Sequence, residues 1–163
     1  PITEVDFDKL DEIKGIAFLD DEGYDFNKDI NLTINLLRRR PVPVVVANTH
    51  LLYPVDKENV ARATGSIARL AEYVLGRQFA KFGKPASQMF QMGLDSVAQV
   101  FPEVSPRDIL MVGDTLHTDI LGGNSFGVST ALVLSGNTRA DSVEMEIRTS
   151  GIIPDFLCQN IGE

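Results

Sequence analysis

Two aspartates, Asp114 and Asp119, follow a short apolar run in an arrangement that could hold a metal ion. Residues 109–112 predict a buried strand that delivers Asp114 to its carboxyl tip, and Gly113 allows a tight bend there. Asp119 stands at the start of a predicted helix and can fold back beside Asp114. Two converging carboxylates form the oxygen-rich, anionic setting that Mg²⁺ prefers. The alternative is structural, with Asp119 capping its own helix and Asp114 in a turn.

A single lysine, Lys84, lies between Gly83 and Pro85 in a predicted tight loop before a helix. Such a lysine can neutralise a phosphate and an attacking carboxylate at once. Phosphoryl transfer depends mostly on positioning and charge neutralisation, so this is a group that the chemistry needs. The alternative is an ordinary surface lysine, since most lysines are exposed.

Strand-like and helical patterns alternate along the chain, which predicts an α/β fold with a parallel sheet. The continuous β-branched run at 42–47 is typical of a parallel strand buried on both faces. Ser66 is a predicted helix N-cap and Gly76 a predicted helix end. The aromatic residues of a helical stripe between Phe90 and Phe101 are predicted to be core. The predicted strands are 13–19, 42–47, 79–82, 109–112, 130–134 and 155–158, and the other predicted helices are 27–39, 119–126 and 141–149.

Composition excludes several classes of partner. The 163 residues carry 15 lysines and arginines against 23 aspartates and glutamates, for a net charge of −8, so we expect no nucleic-acid partner and no anionic membrane partner. The apolar runs are too short to span a bilayer. The one cysteine, Cys158, rules out an internal disulfide framework and favours a reducing, cytoplasmic location.

Three segments resemble motifs of the haloacid dehalogenase (HAD) superfamily of Mg²⁺-dependent phosphatases: Gly83-Lys84-Pro85, the run from Gly113 to Asp119, and the later Ser135-Gly136. From residue 65 to 158 the sequence is similar to the class IIA branch, the NagD-like enzymes with a large α/β cap. The resemblance implies a Rossmann-like HAD core with a parallel sheet, here its C-terminal half, plus part of an α/β cap domain. It also implies hydrolysis of a small phosphorylated metabolite, a phosphate monoester, through an aspartyl-phosphate.

The resemblance also implies roles for individual residues. Asp114 would ligate Mg²⁺ directly, and Asp119 would support it or hold a metal-bound water. Lys84 would stabilise the phosphate and the nucleophile. The residues that would support these motifs are Gly83, Pro85, Gly113 and Thr115.

The N-terminal third is open to two interpretations. In the first, Asp20-Asp21-Glu22-Gly23 is a degenerate nucleophile motif and Thr49 binds the phosphate, but Glu22 then replaces the family's acid/base aspartate and Tyr24 its threonine. In the second, which we prefer, residues 13–53 are the latter half of a class IIA cap. The strand-end residues Asn48, Thr49 and His50 would then contact substrate, although the family has Asn-Pro-Asp there.

The cap interpretation predicts three segments: 1–64 as the second half of the cap, 65–83 as a return segment to the core, and 84–163 as the C-terminal half of the core. The nucleophile would then be absent, and this chain alone would be inactive. The alternatives are a complete capless phosphatase using Asp20 and a non-catalytic HAD-like or receiver-like regulatory protein. Half a sheet would expose unpaired edges, so homo-oligomers or association through those edges are expected.

Overall fold

The computed structural model describes residues 3–20, 22–56 and 59–162, so Asp21 of the acidic cluster lies outside the described residues. The chain forms two compact units. Within the described ranges the first comprises residues 3–20, 22–52 and 61–82, and the second comprises 53–56, 59–60 and 83–162. None of the helices in these ranges combines the length and apolar character that crossing a bilayer needs.

In the described part of the first unit, three parallel strands pair in the order β1-β2-β5. These are β1 at Ile16–Phe18, β2 at Val44–Val46 and β5 at Ala80–Lys81. The central strand, β2, pairs in parallel on both sides, as its continuous valine run predicts. Val46 is fully buried, so the sheet forms the centre of this unit's core.

Helices α1 (Phe26–Arg39) and α2 (Thr64–Leu75) contact each other in the first unit. Helix α1 begins where the Asp25 carboxylate accepts a hydrogen bond from the Lys28 amide at 2.8 Å, an N-cap that satisfies an otherwise unpaired donor. A short 3₁₀ helix, Phe7–Glu12, precedes β1. The buried core of the unit consists of Ile16, Leu36, Leu37, Val44, Val46, Ala68, Ala71 and Phe79.

One expectation for this region needs correction, and one feature was not predicted. The prediction that Ser66 is an N-cap is wrong: helix α2 begins at Thr64 after Ala63, and the Ser66 hydroxyl donates to the Leu51 carbonyl instead. Gly76 does end the helix, in the left-handed conformation that glycine permits. A hairpin of strands β3 (Leu52–Pro54) and β4 (Val60–Arg62) was not predicted, because strands of three residues are too short to show a periodic pattern.

The described part of the second unit contains a parallel sheet in the order β6-β7-β8. Its strands are β6 at Leu110–Gly113, β7 at Ser129–Val133 and β8 at Phe156–Cys158. The helices are α3 at Ser87–Ala98, α4 at Leu121–Phe126 and α5 at Val143–Ser150. Buried apolar side chains of this sheet, of α5 and of the segments next to α4 and α5 form a second core, which contains Leu116, Ile120, Leu132, Val143 and Ile152.

Helix α3 is more exposed than predicted. None of residues 87–98, all of which are described, is buried. Phe90 is half-buried and stacks on Phe126 with ring centroids 5.7 Å apart, whereas Phe101 beyond the helix end is 64% exposed. The prediction that the aromatic residues of this stripe are core is therefore wrong for Phe101.

A capping box fixes the approach to β6. Ser105 is the N-cap of the short helix Pro106–Asp108 that precedes the strand, and Asp108 is the last residue of that helix. The Ser105 hydroxyl and amide both donate to the Asp108 carboxylate, at 2.7 and 2.9 Å. Both hydrogen bonds lower the pKa of Asp108, because they favour its charged form, and the bond from the Ser105 hydroxyl has the larger effect.

Candidate functional site

The site is built where β6 ends. The strand carries Gly113 as its last residue, so Asp114 leaves the sheet at the carboxyl edge, where parallel sheets bind ligands. The chain then enters a π-helical turn, Leu116–Ile120, which continues directly into α4. This turn returns Asp119 to the strand end, and the side chain becomes almost completely buried at 1% exposure.

The Asp119 carboxylate closes this turn from inside. Its Oδ2 atom accepts hydrogen bonds from the backbone amides of Asp114 and Thr115, each at 3.1 Å. Its Oδ1 atom lies 2.5 Å from Nζ of Lys84, whose side chain is 25% exposed. Asp119 therefore does fold back on the strand end as predicted, and it links the lysine loop to the Asp114 turn by a buried ion pair.

The lysine loop is a compact turn. The Gly83 carbonyl accepts a hydrogen bond from the Ala86 amide at 3.0 Å, and the Lys84–Pro85 peptide bond is cis. Helix α3 begins at the next residue, Ser87. The loop thus projects Lys84 toward Asp119 from a separate element.

Asp114 is half-buried, and both of its carboxylate oxygens accept hydrogen bonds. Oδ1 accepts from the Thr115 hydroxyl at 2.9 Å, and Oδ2 accepts from the Asn137 amide at 3.0 Å. The Asp114 carbonyl accepts from the Thr138 amide at 2.9 Å. Each carboxylate oxygen keeps lone pairs that these hydrogen bonds do not use.

Asn137 was not among the residues predicted from the sequence. It lies in the loop that follows β7, and β7 is parallel to β6, so both strands end at the same edge of the sheet. The segment Ser135-Gly136-Asn137-Thr138 is polar and follows a predicted strand, and this signal could have identified it.

Gly113 is required by the close approach of Asp119. A Cβ atom at position 113 would lie 2.3 Å from Asp119 Cγ and 2.4 Å from its Cβ and Oδ2 atoms. The carboxylate cannot easily move aside, because it is buried and held by two amides and Lys84.

We expect Gly113→Ala to lower the free energy of unfolding by about 1–3 kcal/mol, the usual cost of overpacking a closely packed site. The matched control is Gly93→Ala in the middle of α3, where a Cβ would meet no atom within 4 Å. That change should stabilise the helix by about 0.5–1 kcal/mol, because alanine is the better helix former. Urea unfolding followed by circular dichroism measures both, and equal effects at the two positions would contradict this role for Gly113.

The predicted substrate residues Asn48, Thr49 and His50 belong to the first unit, after β2. The Asn48 side-chain oxygen accepts from the His50 amide at 3.0 Å, and the His50 carbonyl accepts from the Gly65 amide at 2.9 Å. A Cβ at Gly65 would lie 2.3 Å from the Thr49 carbonyl oxygen, so glycine allows α2 to begin against this segment. All three side chains are half-buried, and their contact with substrate stays a prediction.

The donor set at the end of β6 fits a hydrated Mg²⁺ better than a fully protein-ligated ion. Among the residues that the structure describes, no group of three or more histidines, cysteines, aspartates and glutamates could hold a metal. Asp114 offers carboxylate oxygens at the strand end, while Asp119 is occupied by amides and Lys84. Mg²⁺ is commonly held by one or two carboxylates, with waters and substrate phosphate completing its shell, so this arrangement is compatible with it.

Comparisons with known proteins find similarity to hydrolases of the HAD type. A model of the HAD-hydrolase-like family matches residues 81–163, just over half of the chain. The solved structure of a possible sugar phosphatase of the HAD superfamily from Cytophaga hutchinsonii is 51% identical, with a TM-score of 0.86, over 96% of this chain and 55% of that one. A p-nitrophenyl phosphatase from Archaeoglobus fulgidus shares the fold, with a TM-score of 0.73 at 22% identity, over 93% of this chain and 55% of that one.

Two curated relatives are similar over shorter shares of their own length. Glycerol-3-phosphate phosphatase from Gallus gallus is 29% identical over 88% of this chain and 46% of that protein. Human chronophin is 30% identical over 68% of this chain and 36% of that protein. The chain thus spans less than half the length of these two curated relatives.

Proposed function

Because the chain belongs to the HAD-hydrolase-like family, we propose that it acts in the Mg²⁺-dependent hydrolysis of phosphate monoesters. The observation that carries the proposal is the cluster at the end of β6, where Lys84 pairs with buried Asp119 and Asp119 anchors the turn that presents Asp114. A cation and a half-buried carboxylate at one sheet edge are suited to a phosphate and its metal ion.

In this proposal each residue has a distinct task. Asp114 would hold Mg²⁺, which would neutralise charge on the phosphate oxygens. Lys84 would stabilise the phosphate, with its ammonium group held in place by Asp119 rather than left to sample many rotamers. Asp119 would act through the turn and the lysine, since its oxygens already contact backbone amides and Nζ of Lys84.

We further propose that the attacking carboxylate is not Asp20 and that this chain alone does not turn over phosphate esters. Asp20 belongs to the first unit and lies outside the residues that match the family model. Glu22 and Tyr24 also depart from the family's nucleophile motif. The first unit would then be part of a cap, with residues 65–82 included, because α2 and β5 pack within that unit.

The substrate we propose is a small phosphorylated metabolite, with sugar phosphates to be tried first because a 51% identical relative is described as a possible sugar phosphatase. Asn48, Thr49 and His50 would contact it. We also propose that the protein is located in the cytoplasm. We also propose association through sheet edges, since β6 pairs with β7 on one side and with no described strand on the other.

Metal binding is tested by adding Mn²⁺, a paramagnetic substitute for Mg²⁺, to the ¹⁵N-labelled chain and following amide line broadening. We expect saturable broadening centred on Asp114, Thr115 and Asn137, reversed by excess Mg²⁺. Broadening that is absent, or that spreads over acidic surfaces such as Glu144, would contradict the metal site.

Catalysis is tested by phosphate release from p-nitrophenyl phosphate and from sugar phosphates, with and without Mg²⁺. We expect no turnover by this chain. Turnover that Asp20→Asn abolishes would overturn the proposal about the nucleophile and favour the complete capless phosphatase.

A further inference from the structure

We propose that Asn137 is a positioning residue that fixes the orientation of the Asp114 carboxylate through the hydroxyl of Thr115. This inference rests on the proposed function, in which Asp114 holds the metal ion. Its basis is a chain of two hydrogen bonds: Asn137 Nδ2 donates to Thr115 Oγ1 at 2.9 Å, and Thr115 Oγ1 donates to Asp114 Oδ1 at 2.9 Å.

The direction of this chain follows from the donors available. A threonine hydroxyl has one hydrogen to donate and two lone pairs that accept. Asn137 occupies a lone pair of the Thr115 oxygen with an N–H group, so the single hydroxyl hydrogen is left for Asp114. Successive hydrogen bonds also polarise one another, which strengthens the one that reaches the carboxylate.

Asn137 reaches the other carboxylate oxygen as well, but through its backbone. Its amide donates to Asp114 Oδ2 at 3.0 Å. Asn137 therefore contacts one oxygen directly and the other through Thr115, which restricts rotation of the carboxylate about both of its side-chain torsions.

Contacts that do not involve the Asn137 side chain also hold this loop. The Thr138 amide donates to the Asp114 carbonyl at 2.9 Å, and Thr138 is buried at 2% exposure. Gly136 makes the approach possible, because a Cβ there would lie 1.8 Å from Asp114 Oδ2. Removing the Asn137 amide group should therefore release the Thr115 hydroxyl while the loop stays in place.

The test combines two readouts on four variants of the chain. Three-bond couplings report whether the Asp114 side chain occupies one χ1 rotamer, and Mn²⁺ broadening reports the apparent metal affinity. We expect one rotamer in the unsubstituted chain and rotamer averaging in Asn137→Ala and Thr115→Val, with metal binding weakened about tenfold, as for other residues that orient a ligand. Thr115→Ser keeps the hydroxyl and should behave like the unsubstituted chain. The double variant should be no worse than Thr115→Val alone, because both changes break one chain.

The matched control is Asn160→Ala, an exposed asparagine whose side-chain oxygen accepts from the Gly162 amide at 2.9 Å, and it should leave both readouts unchanged. A fixed Asp114 rotamer in Asn137→Ala, or additive effects in the double variant, would overturn the inference. Rotamer averaging in Asn137→Ala without Mn²⁺ binding by the unsubstituted chain would support the positioning contact and contradict the proposed function. Melting temperatures of all variants establish that the second unit remains folded.

Discussion

An Asp114→Asn variant is expected to bind Mn²⁺ more than tenfold more weakly than the unsubstituted chain, while melting at nearly the same temperature. The substitution replaces a carboxylate by a neutral amide, and Mg²⁺-type ions prefer charged oxygen ligands. Stability should change little, because Asp114 is half-buried and the hydrogen bond from the Asn137 amide can still be accepted by the side-chain oxygen. The measurement is the same amide broadening, with thermal unfolding followed by circular dichroism.

The control for this experiment is Asp141→Asn, which changes the same charge at an exposed position paired with Arg139. We expect that variant to bind Mn²⁺ like the unsubstituted chain. If the two variants lost affinity equally, the effect would come from net charge alone, and Asp114 would not be the ligand.

An Asp119→Ala variant is expected to show the largest loss of stability in the second unit, about 3–5 kcal/mol of unfolding free energy. The reason is that breaking a buried ion pair leaves its partner uncompensated. The change would take the buried carboxylate away from the Lys84 ammonium, and it would leave the amides of Asp114 and Thr115 without their acceptor. The sequence contains no tryptophan, so urea unfolding is followed by circular dichroism rather than by tryptophan fluorescence.

Two further variants separate the contributions at Asp119. Asp119→Asn keeps one acceptor oxygen for the amides but loses the charge, so its loss should be smaller than that of alanine. Glu144→Ala breaks the exposed pair with Arg148 on α5 and should cost only about 0.3–0.5 kcal/mol. A loss at Asp119→Ala no larger than at Glu144→Ala would show that the buried pair does not hold the turn.

Much of the architecture could be predicted from local sequence. The valine run at 44–46 predicts a buried parallel strand, because β-branched residues without alternation are typical of strands covered on both faces. Helix α1 and the glycine at the end of α2 follow from apolar spacing and from the conformational freedom of glycine at Gly76. Residue type, spacing and position at strand ends predicted Lys84, Asp114 and Asp119 as site residues. The structure brings the three together at the end of β6, and their chemical roles stay predictions.

Other features depended on contacts that no local pattern contains. Ser66 has the right residue type for an N-cap, yet its hydroxyl bonds to Leu51, because the chain before α2 runs back past that residue. Phe101 has the spacing of a core residue, but it lies beyond the end of α3 and is exposed. Both errors arise because residue type and periodicity do not say which other element lies alongside.

The α/β alternation, the resemblance to the HAD superfamily and the three charged residues of the candidate site could be recognised from the sequence. The orientation of those residues depends on the fold: Asp119 faces Lys84 and two amides, and Asn137, 23 positions further along the chain, holds Asp114. The physical reason is the parallel sheet, which brings the ends of β6 and β7 together at one edge. Which groups become hydrogen-bond partners across that edge depends on three-dimensional proximity, which spacing along the chain does not encode.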